Sequence, residues 1–193
     1  MLAAQAKIYT VEEYFELEKN SLIRHEFVNG QLFEMPGETK AANDIALNVV
    51  ELIRKPLKKL GFRTNAHDVK TMVKDHKIYR YPDVVVAPLS DNDDKYYIKK
   101  AILLIEVASE DSSKTDRETK LQEYTAIETV KYYVIIDQNK TFVEVYSRNG
   151  GDGTRWYYDR LSTPEAVVDL PIFNLKLSLK NIYEDIVFDT PVK

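Results

Sequence analysis

Eight consecutive residues, Ala101-Ile-Leu-Leu-Ile-Glu-Val-Ala108, carry seven apolar side chains and no polar–apolar alternation. A strand with one wetted face alternates with period two, so this run reads as a central strand covered on both faces. A sheet buried on both sides needs helices over it, and the chain supplies candidates. Between Ala41 and Leu60, apolar residues recur at Ile45, Val49, Leu52, Ile53, Leu57 and Leu60, a helical stripe ended by Gly61, with Pro56 expected to kink its last turn. Ser112 to Ile127 reads as another helix, with Thr115 and Glu118 in capping-box spacing. Thr10-Val-Glu-Glu13 has the same spacing and predicts a short helix after it. Strands are predicted over Phe62–Val73, Ile78–Pro88, Ala101–Ser109, Val130–Asp137 and Thr141–Ser147. Asn29-Gly30, set between alternating apolar residues, predicts a hairpin. Asn149-Gly-Gly-Asp-Gly153 is a turn cluster leading to Trp156-Tyr-Tyr158, and Leu179–Ile186 reads as a closing helix. No repeat, low-complexity segment or linker divides residues 1–193. The expectation is one α/β domain, in detail an α+β arrangement with a mixed sheet.

Composition narrows the function classes. The 193 residues are 44% hydrophobic and 30% charged, which is globular composition. No apolar run approaches the roughly 20 residues of a membrane span. The start, MLAAQAKIYTVEEYF, lacks a basic flank followed by an apolar stretch. With no cysteine there is no disulfide and no thiolate metal site. A cytoplasmic protein that does not contact membranes is expected. The formal charge of −4 is not that of a nucleic-acid-binding chain on average. Its distribution is uneven: from Arg54 to Arg80 there are nine Lys/Arg against Asp68 and Asp75, a local +7. Arg54, Lys58, Lys59, Arg63 and Lys70 are therefore candidate phosphate contacts, although a solvated helix face plus a charged hairpin gives the same count.

The residues with chemical potential are few. Asp83 follows Pro82 and opens Val84-Val-Val-Ala87, which puts a carboxylate at a strand start. Glu106 interrupts the most apolar strand, where a carboxylate costs several kcal/mol unless cations or hydrogen bonds compensate it. Asp116 and Lys120 are spaced i, i+4 on the following helix, and Tyr124 continues their face. Two carboxylates on neighbouring strands with a lysine nearby suit a Mg²⁺-dependent nuclease, since Mg²⁺ takes one or two carboxylates plus a substrate phosphate. The same residues can also be purely structural, with Asp83 capping a strand and Glu106 paired with Lys120.

As an ordered set, Pro82-Asp83-Val-Val-Val86, Leu104-Ile-Glu106-Val-Ala-Ser109, Asp116-Arg-Glu-Thr-Lys120-Leu-Gln-Glu-Tyr124 and Lys131-Tyr-Tyr-Val-Ile-Ile-Asp137 resembles the Uma-type restriction endonuclease family. That family is a bacterial group within the PD-(D/E)xK nuclease superfamily. Tyr9-Thr-Val-Glu-Glu-Tyr14 and Glu26-Phe-Val-Asn-Gly30 are similar to its opening. The resemblance implies a restriction-endonuclease-like core with flanking helices. It implies Asp83, Glu106 and the Val107 carbonyl as metal ligands, and Lys120 as catalytic base or charge stabiliser. It further implies Glu26 near the same site, Asp116 and Tyr124 supporting Lys120, Mg²⁺ as cofactor with Mn²⁺ as substitute, and DNA as substrate. The superfamily's usual lysine lies two residues after the glutamate, where this chain has Ala108; Lys120, or less readily Lys114, takes its place. Relatives often carry a histidine opening the long helix, where this chain has Ala42 and Asn43.

Three functions follow: a Mg²⁺-dependent DNA endonuclease, a nuclease-fold protein that binds nucleic acid or protein without cutting, and an interaction module whose thirteen tyrosines build a homodimer surface. His25, His67 and His76 share no motif with one another and read as surface or hairpin residues.

Overall fold

The first helix, α1 (Val11–Asn20), is capped as its sequence predicts: Glu13 N donates to Thr10 Oγ1 at 3.2 Å and Thr10 N donates to Glu13 Oε2 at 2.9 Å. Residues 7–91, 94–109, 113–148 and 155–188 are described by the structure, a computed structural model. β1 (His25–Val28) and β2 (Gln31–Glu34) form the predicted hairpin, with Asn29 and Gly30 both left-handed at φ 49° and 88°. A side chain at Gly30 would also meet Ile8 Cγ2 at 2.6 Å.

Thr39 caps α2 (Lys40–Lys59) by accepting from Ala42 N at 3.1 Å, and the helix runs through Pro56 to its end. Ala42, Ile45, Ala46, Val49, Ile53 and Leu57 are its buried stripe. Each of the larger ones contributes roughly 1.5–3 kcal/mol on leaving water. β3 (Phe62–Ala66), β4 (Lys70–Lys74), β5 (Ile78–Arg80), β6 (Val84–Pro88), β7 (Tyr97–Ile98) and β8 (Leu103–Ala108) follow. Next come α3 (Ser113–Thr115), a π-helical turn (Asp116–Lys120) and α4 (Leu121–Thr125). β9 (Tyr132–Asp137), β10 (Val143–Ser147), β11 (Tyr157–Leu161), β12 (Val167–Leu170), β13 (Leu175–Ser178) and α5 (Leu179–Ile182) complete the order.

The central sheet has six strands in the order β11-β10-β9-β8-β6-β3, mixed because β8 and β9 are parallel and the remaining pairs antiparallel. All six residues of β8 are buried, as its apolar run, broken only by Glu106, requires. One face, with Val84, Val86, Leu103, Ile105 and Val107, packs against the α2 stripe, α5 and the β12–β13 hairpin. The other, with Val85, Leu104, Ala108, Tyr133 and Ile135, packs against Tyr124 of α4. A second sheet, β2-β1-β5-β4-β7, is held by Tyr14 of α1 stacked on Phe27, with Tyr79 alongside.

Two predicted strands divide between these sheets. Phe62–Val73 becomes β3 in the central sheet and β4 in the second; Ile78–Pro88 becomes β5 in the second and β6 in the central. The first breaks where His67 adopts φ 56°, a left-handed conformation outside the extended region of regular strands. The second breaks at Pro82, which has no N–H for a ladder. Asp83 stands at that crossing. Thr115 is helical, at φ −61° and ψ −43°, and makes no cap hydrogen bond, so the expected capping box with Glu118 does not form. Ser112 and the Asn149–Gly153 turn lie outside the described residues.

Candidate active site

The start of β6, the ends of β8 and β9 and the N-terminus of α2 meet at one end of the central sheet. Val84 faces Ile105 in register, which sets Asp83 opposite Glu106. Val107 N donates to Asp83 Oδ2 at 2.5 Å. Within a strand a residue's N–H and C=O point to the same neighbour, so the Val107 carbonyl also faces the Asp83 side. Burial, with the Glu38 carboxylate adding to it, raises the Asp83 pKa to about 7 against the lowering pull of the Val107 amide and Lys120.

Glu106 is only 4% exposed, and both its oxygens are engaged. Tyr124 OH donates to Oε1 at 2.8 Å, and Lys120 Nζ stands 3.0 Å from Oε2. Lys120 also lies 3.0 Å from Asp116 Oδ1 and 3.9 Å from Glu26 Oε1. Burial alone would lower the Lys120 pKa; Glu106, Glu26 and Asp116 outweigh it and hold the ammonium charged. Burial raises Glu106, with Lys120 opposing. The helix carrying Lys120 is π-helical over Asp116–Lys120, a distortion frequent at functional sites. In a regular α-helix, steps of four residues would rotate Tyr124 about 80° away from Asp116. The wider turn takes up part of that rotation, and Asp116, Lys120 and Tyr124 are all buried on one side.

Glu26, on β1, is joined to this group by Arg80, which sequence reasoning did not single out. Arg80 Nη1 donates to Glu26 Oε2 at 2.5 Å, while Nε and Nη2 grip both oxygens of Glu123 on α4 at 2.8 Å. Arg80 is 5% exposed, and the clamp ties the second sheet to the helix that carries Lys120. Around this end Arg80 and Lys120 stand against Glu26, Glu38, Asp83, Glu106, Asp116 and Glu123, two cations against six carboxylates. That excess of oxygen-borne negative charge fits a hard divalent cation, Mg²⁺ or Mn²⁺. Asp83, Glu106 and the Val107 carbonyl are the groups that would hold it.

Two further residues come within reach of Asp83. His67 Nδ1 lies 3.3 Å from Glu38 Oε1, and the two share a cluster with Asp83. His67 was expected to be a surface or hairpin residue; it is in a turn, but its ring faces the site. No motif could have revealed this, because Glu38, His67 and Asp83 lie on separate segments.

Apart from Arg80, the candidate phosphate contacts of the basic segment do not line this end. Lys70 is a correction: it is 9% exposed, 3.5 Å from Glu18 Oε2 and set over the Tyr81 ring, in the second sheet. Buried there, it cannot meet a phosphate on the surface. Arg54, Lys58 and Lys59 are exposed on the last turns of α2, and Arg63 is exposed opposite Ala87. At roughly 3.3 Å per residue, Ala87 is about 13 Å along β6 from Asp83. Nearer Glu106, a cavity of about 600 Å³ opens beside the ends of β8 and β9, lined among others by Ser109, Arg117, Lys140, Glu144 and Arg160. Arg117 is ion-paired with Glu144 in its wall.

Residues 11–180 match the Uma2 family, described as a "putative restriction endonuclease". The chain belongs to this family. Two uncharacterised proteins from a Synechocystis species, sll1609 and slr1290, are 24% and 23% identical to it, each over 178 residues. The first alignment covers 91% of this chain and 99% of the relative, the second 92% of each. Among solved structures, the chain shares its fold with a protein from Anabaena variabilis described as a "putative nuclease", with a TM-score of 0.74 and 19% identity over 92% of this chain and 99% of that one. The mixed-sheet α+β architecture expected from the sequence is thus also the fold of that protein. Among the described residues, no helix is long and apolar enough to cross a membrane.

Proposed function

We propose that the chain is one restriction-endonuclease-like domain that hydrolyses DNA phosphodiesters with Mg²⁺, or with Mn²⁺ in its place. Membership of the Uma2 family supports a nuclease-like function and a nucleic-acid substrate. The observation that carries the finer reading is the 3.0 Å contact of Lys120 with Glu106, beside an Asp83 anchored to the next residue of the same strand. The bound ion would polarise the phosphoryl group and lower the pKa of a coordinated water. Asp83 and Glu106 would bind it, and the Val107 carbonyl would complete their side of the shell. Lys120, kept protonated by its carboxylates, acts by neutralising charge that builds on the phosphoryl oxygens, and not as a base. Asp116 and Tyr124 orient Lys120 and Glu106, and Arg80 holds Glu26 beside them. In the overall reaction water's oxygen bonds to phosphorus, one P–O ester bond breaks, and the departing oxygen takes a proton.

We assign phosphate contacts to Lys114, Lys140 and Arg160 near the β8–β9 end, ahead of the distant α2 terminus. A homodimer would supply two such sites for paired strand breaks, and a cytoplasmic location would bring it to DNA. The non-cutting alternative has one observation in its favour: Tyr124 and Lys120 already occupy both Glu106 oxygens. Incubating supercoiled plasmid with the wild type and with Asp83→Ala and Glu106→Ala, in Mg²⁺, Mn²⁺ or chelator, separates the two. The nuclease reading expects nicking or linearisation by the wild type in divalent ion alone. An uncut plasmid in every ion, with DNA binding intact, would establish the alternative.

A further inference from the structure

Glu38, His67 and Asp83 come from three segments: the residue before the α2 cap, the turn after β3, and the start of β6. One ligand-capable atom from each lies within 4.8 Å of the others. Solvent reaches the cluster, since the Glu38 and His67 side chains are 35% and 26% exposed. The backbone sets residue 67 beside Asp83: His67 N donates to the Asp83 carbonyl at 2.9 Å, and the left-handed φ turns the chain at that residue.

An all-oxygen shell suits Mg²⁺, whereas an imidazole nitrogen favours first-row transition ions. We propose that Glu38, His67 and Asp83 form a mixed nitrogen–oxygen site for a transition dication, Mn²⁺ among them, that shares Asp83 with Glu106 and biases the centre towards Mn²⁺ over Mg²⁺. The proposal rests on the nuclease reading only for what the ion does; its binding depends on these three side chains. An octahedral ion with ligands at roughly 2.1 Å holds neighbouring ligands about 3 Å apart, so the cluster must contract by rotamer adjustment of Glu38, its most exposed member.

The imidazole has a proton partner ready. His67 Nε2 faces Asn43 Nδ2 at 3.4 Å, while Nδ1 faces Glu38. A cation on Nδ1 requires the proton on Nε2. Asn43 can then accept it through Oδ1 by turning its amide, which fixes the tautomer and ring as outer partners of metal-bound histidines do. Asn43 is a positioning residue in this scheme, not a ligand.

The test uses metal-stripped full chain titrated with Mn²⁺ alone and Mg²⁺ alone by calorimetry, with pulsed EPR on the Mn²⁺ form. The expected wild-type spectrum shows ¹⁴N modulation from a coordinated imidazole. His67→Gln should abolish that modulation and weaken Mn²⁺ by at least about tenfold, a loss of the size seen when such shells are disturbed. Mg²⁺ affinity should change less than about threefold, because Mg²⁺ gains little from nitrogen. Glu106→Gln should keep the modulation. Should His67→Gln not fold by circular dichroism, Glu38→Gln replaces it, with weaker Mn²⁺ binding and modulation retained. Mn²⁺ bound without ¹⁴N modulation, equal losses for both ions, or no Mn²⁺ binding at millimolar concentration would each overturn the site. A ¹⁴N-coupled ion in a protein that cuts no DNA would instead overturn the nuclease reading and leave the site standing.

Discussion

Replacing Asp83 with asparagine should stabilise the metal-free protein, and more so as pH rises. Burial holds the Asp83 pKa at about 7 against an ordinary 3.8. The folded state therefore keeps this proton where the unfolded chain has already released it. Stability is drained between pH 3.8 and about 7 and stays lost above that, because the unfolded state binds fewer protons across the window. Roughly three pKa units at 1.36 kcal/mol each give about 4 kcal/mol, and partial solvent contact reduces this to about 2 kcal/mol. Asparagine keeps an oxygen for the Val107 amide and offers an N–H to Glu38, without the charge. The expected gain is about 2 kcal/mol at pH 8 and less than about 1 kcal/mol at pH 5, where the wild-type carboxyl is largely protonated in the fold.

Differential scanning calorimetry in chelator reads this directly. At about 2–4 °C per kcal/mol for a chain of this length, Tm should rise by about 4–8 °C at pH 8. Saturating Mn²⁺ should close the gap, since the ion stabilises the carboxylate and not the amide. An equal gain at both pH values, or a lower Tm for the variant at pH 8, would refute the argument that an uncompensated carboxylate sits there.

Lys120→Met should cost about 3–5 kcal/mol in chelator by urea titration, because it strands Glu106 and Asp116 in the interior without their cation. Arg80→Met should destabilise by a similar amount and also weaken any cleavage, as Glu123 and Glu26 lose their shared partner and the helix carrying Lys120 loosens; unchanged stability would show the clamp is idle. Lys140→Gln with Arg160→Gln should flatten the salt dependence of DNA binding by roughly two units, measured by fluorescence anisotropy at several salt concentrations. Lys58→Gln with Lys59→Gln should leave that slope unchanged, and the reverse result would move the DNA to the far end of α2.

Local signals carried much of the fold. The reciprocal Thr10–Glu13 cap, the Asn29-Gly30 turn and the α2 stripe depend on neighbours within a few residues, and each appears where its pattern puts it. The nearly continuous apolar run at β8 announced a buried central strand for the same reason. The division of Phe62–Val73 and Ile78–Pro88 between two sheets was not legible, because both halves of each segment have strand composition. Only the left-handed His67 and the missing amide of Pro82 mark the crossings. The thirteen tyrosines do not serve one surface: Tyr14 and Tyr79 fill the second sheet's core, while Tyr124 and Tyr133 pack beneath Glu106. The grouping of Lys120 with Glu106 and Asp116 followed from i, i+4 spacing and the cost of a buried carboxylate. Arg80 was invisible because its partners lie 54 and 43 residues away.

The placement of the lysine on a helix has a structural consequence. Leu104, Glu106 and Ala108 alternate onto one face of β8, so a lysine at 108 would lie beside the glutamate on the same rigid strand. Ala108 ends at its Cβ and is 2% exposed, and Lys120 delivers its ammonium to Glu106 from the opposing layer instead. That layer is fastened to the second sheet by Glu123 and Arg80, and Lys120 itself lies 3.9 Å from Glu26 of β1. A strand-borne lysine would keep its place whatever happened to the second sheet. Here the position of the ammonium depends on how α4 and that sheet are held together, which makes the Arg80 clamp part of the site's geometry although it touches neither Asp83 nor Glu106.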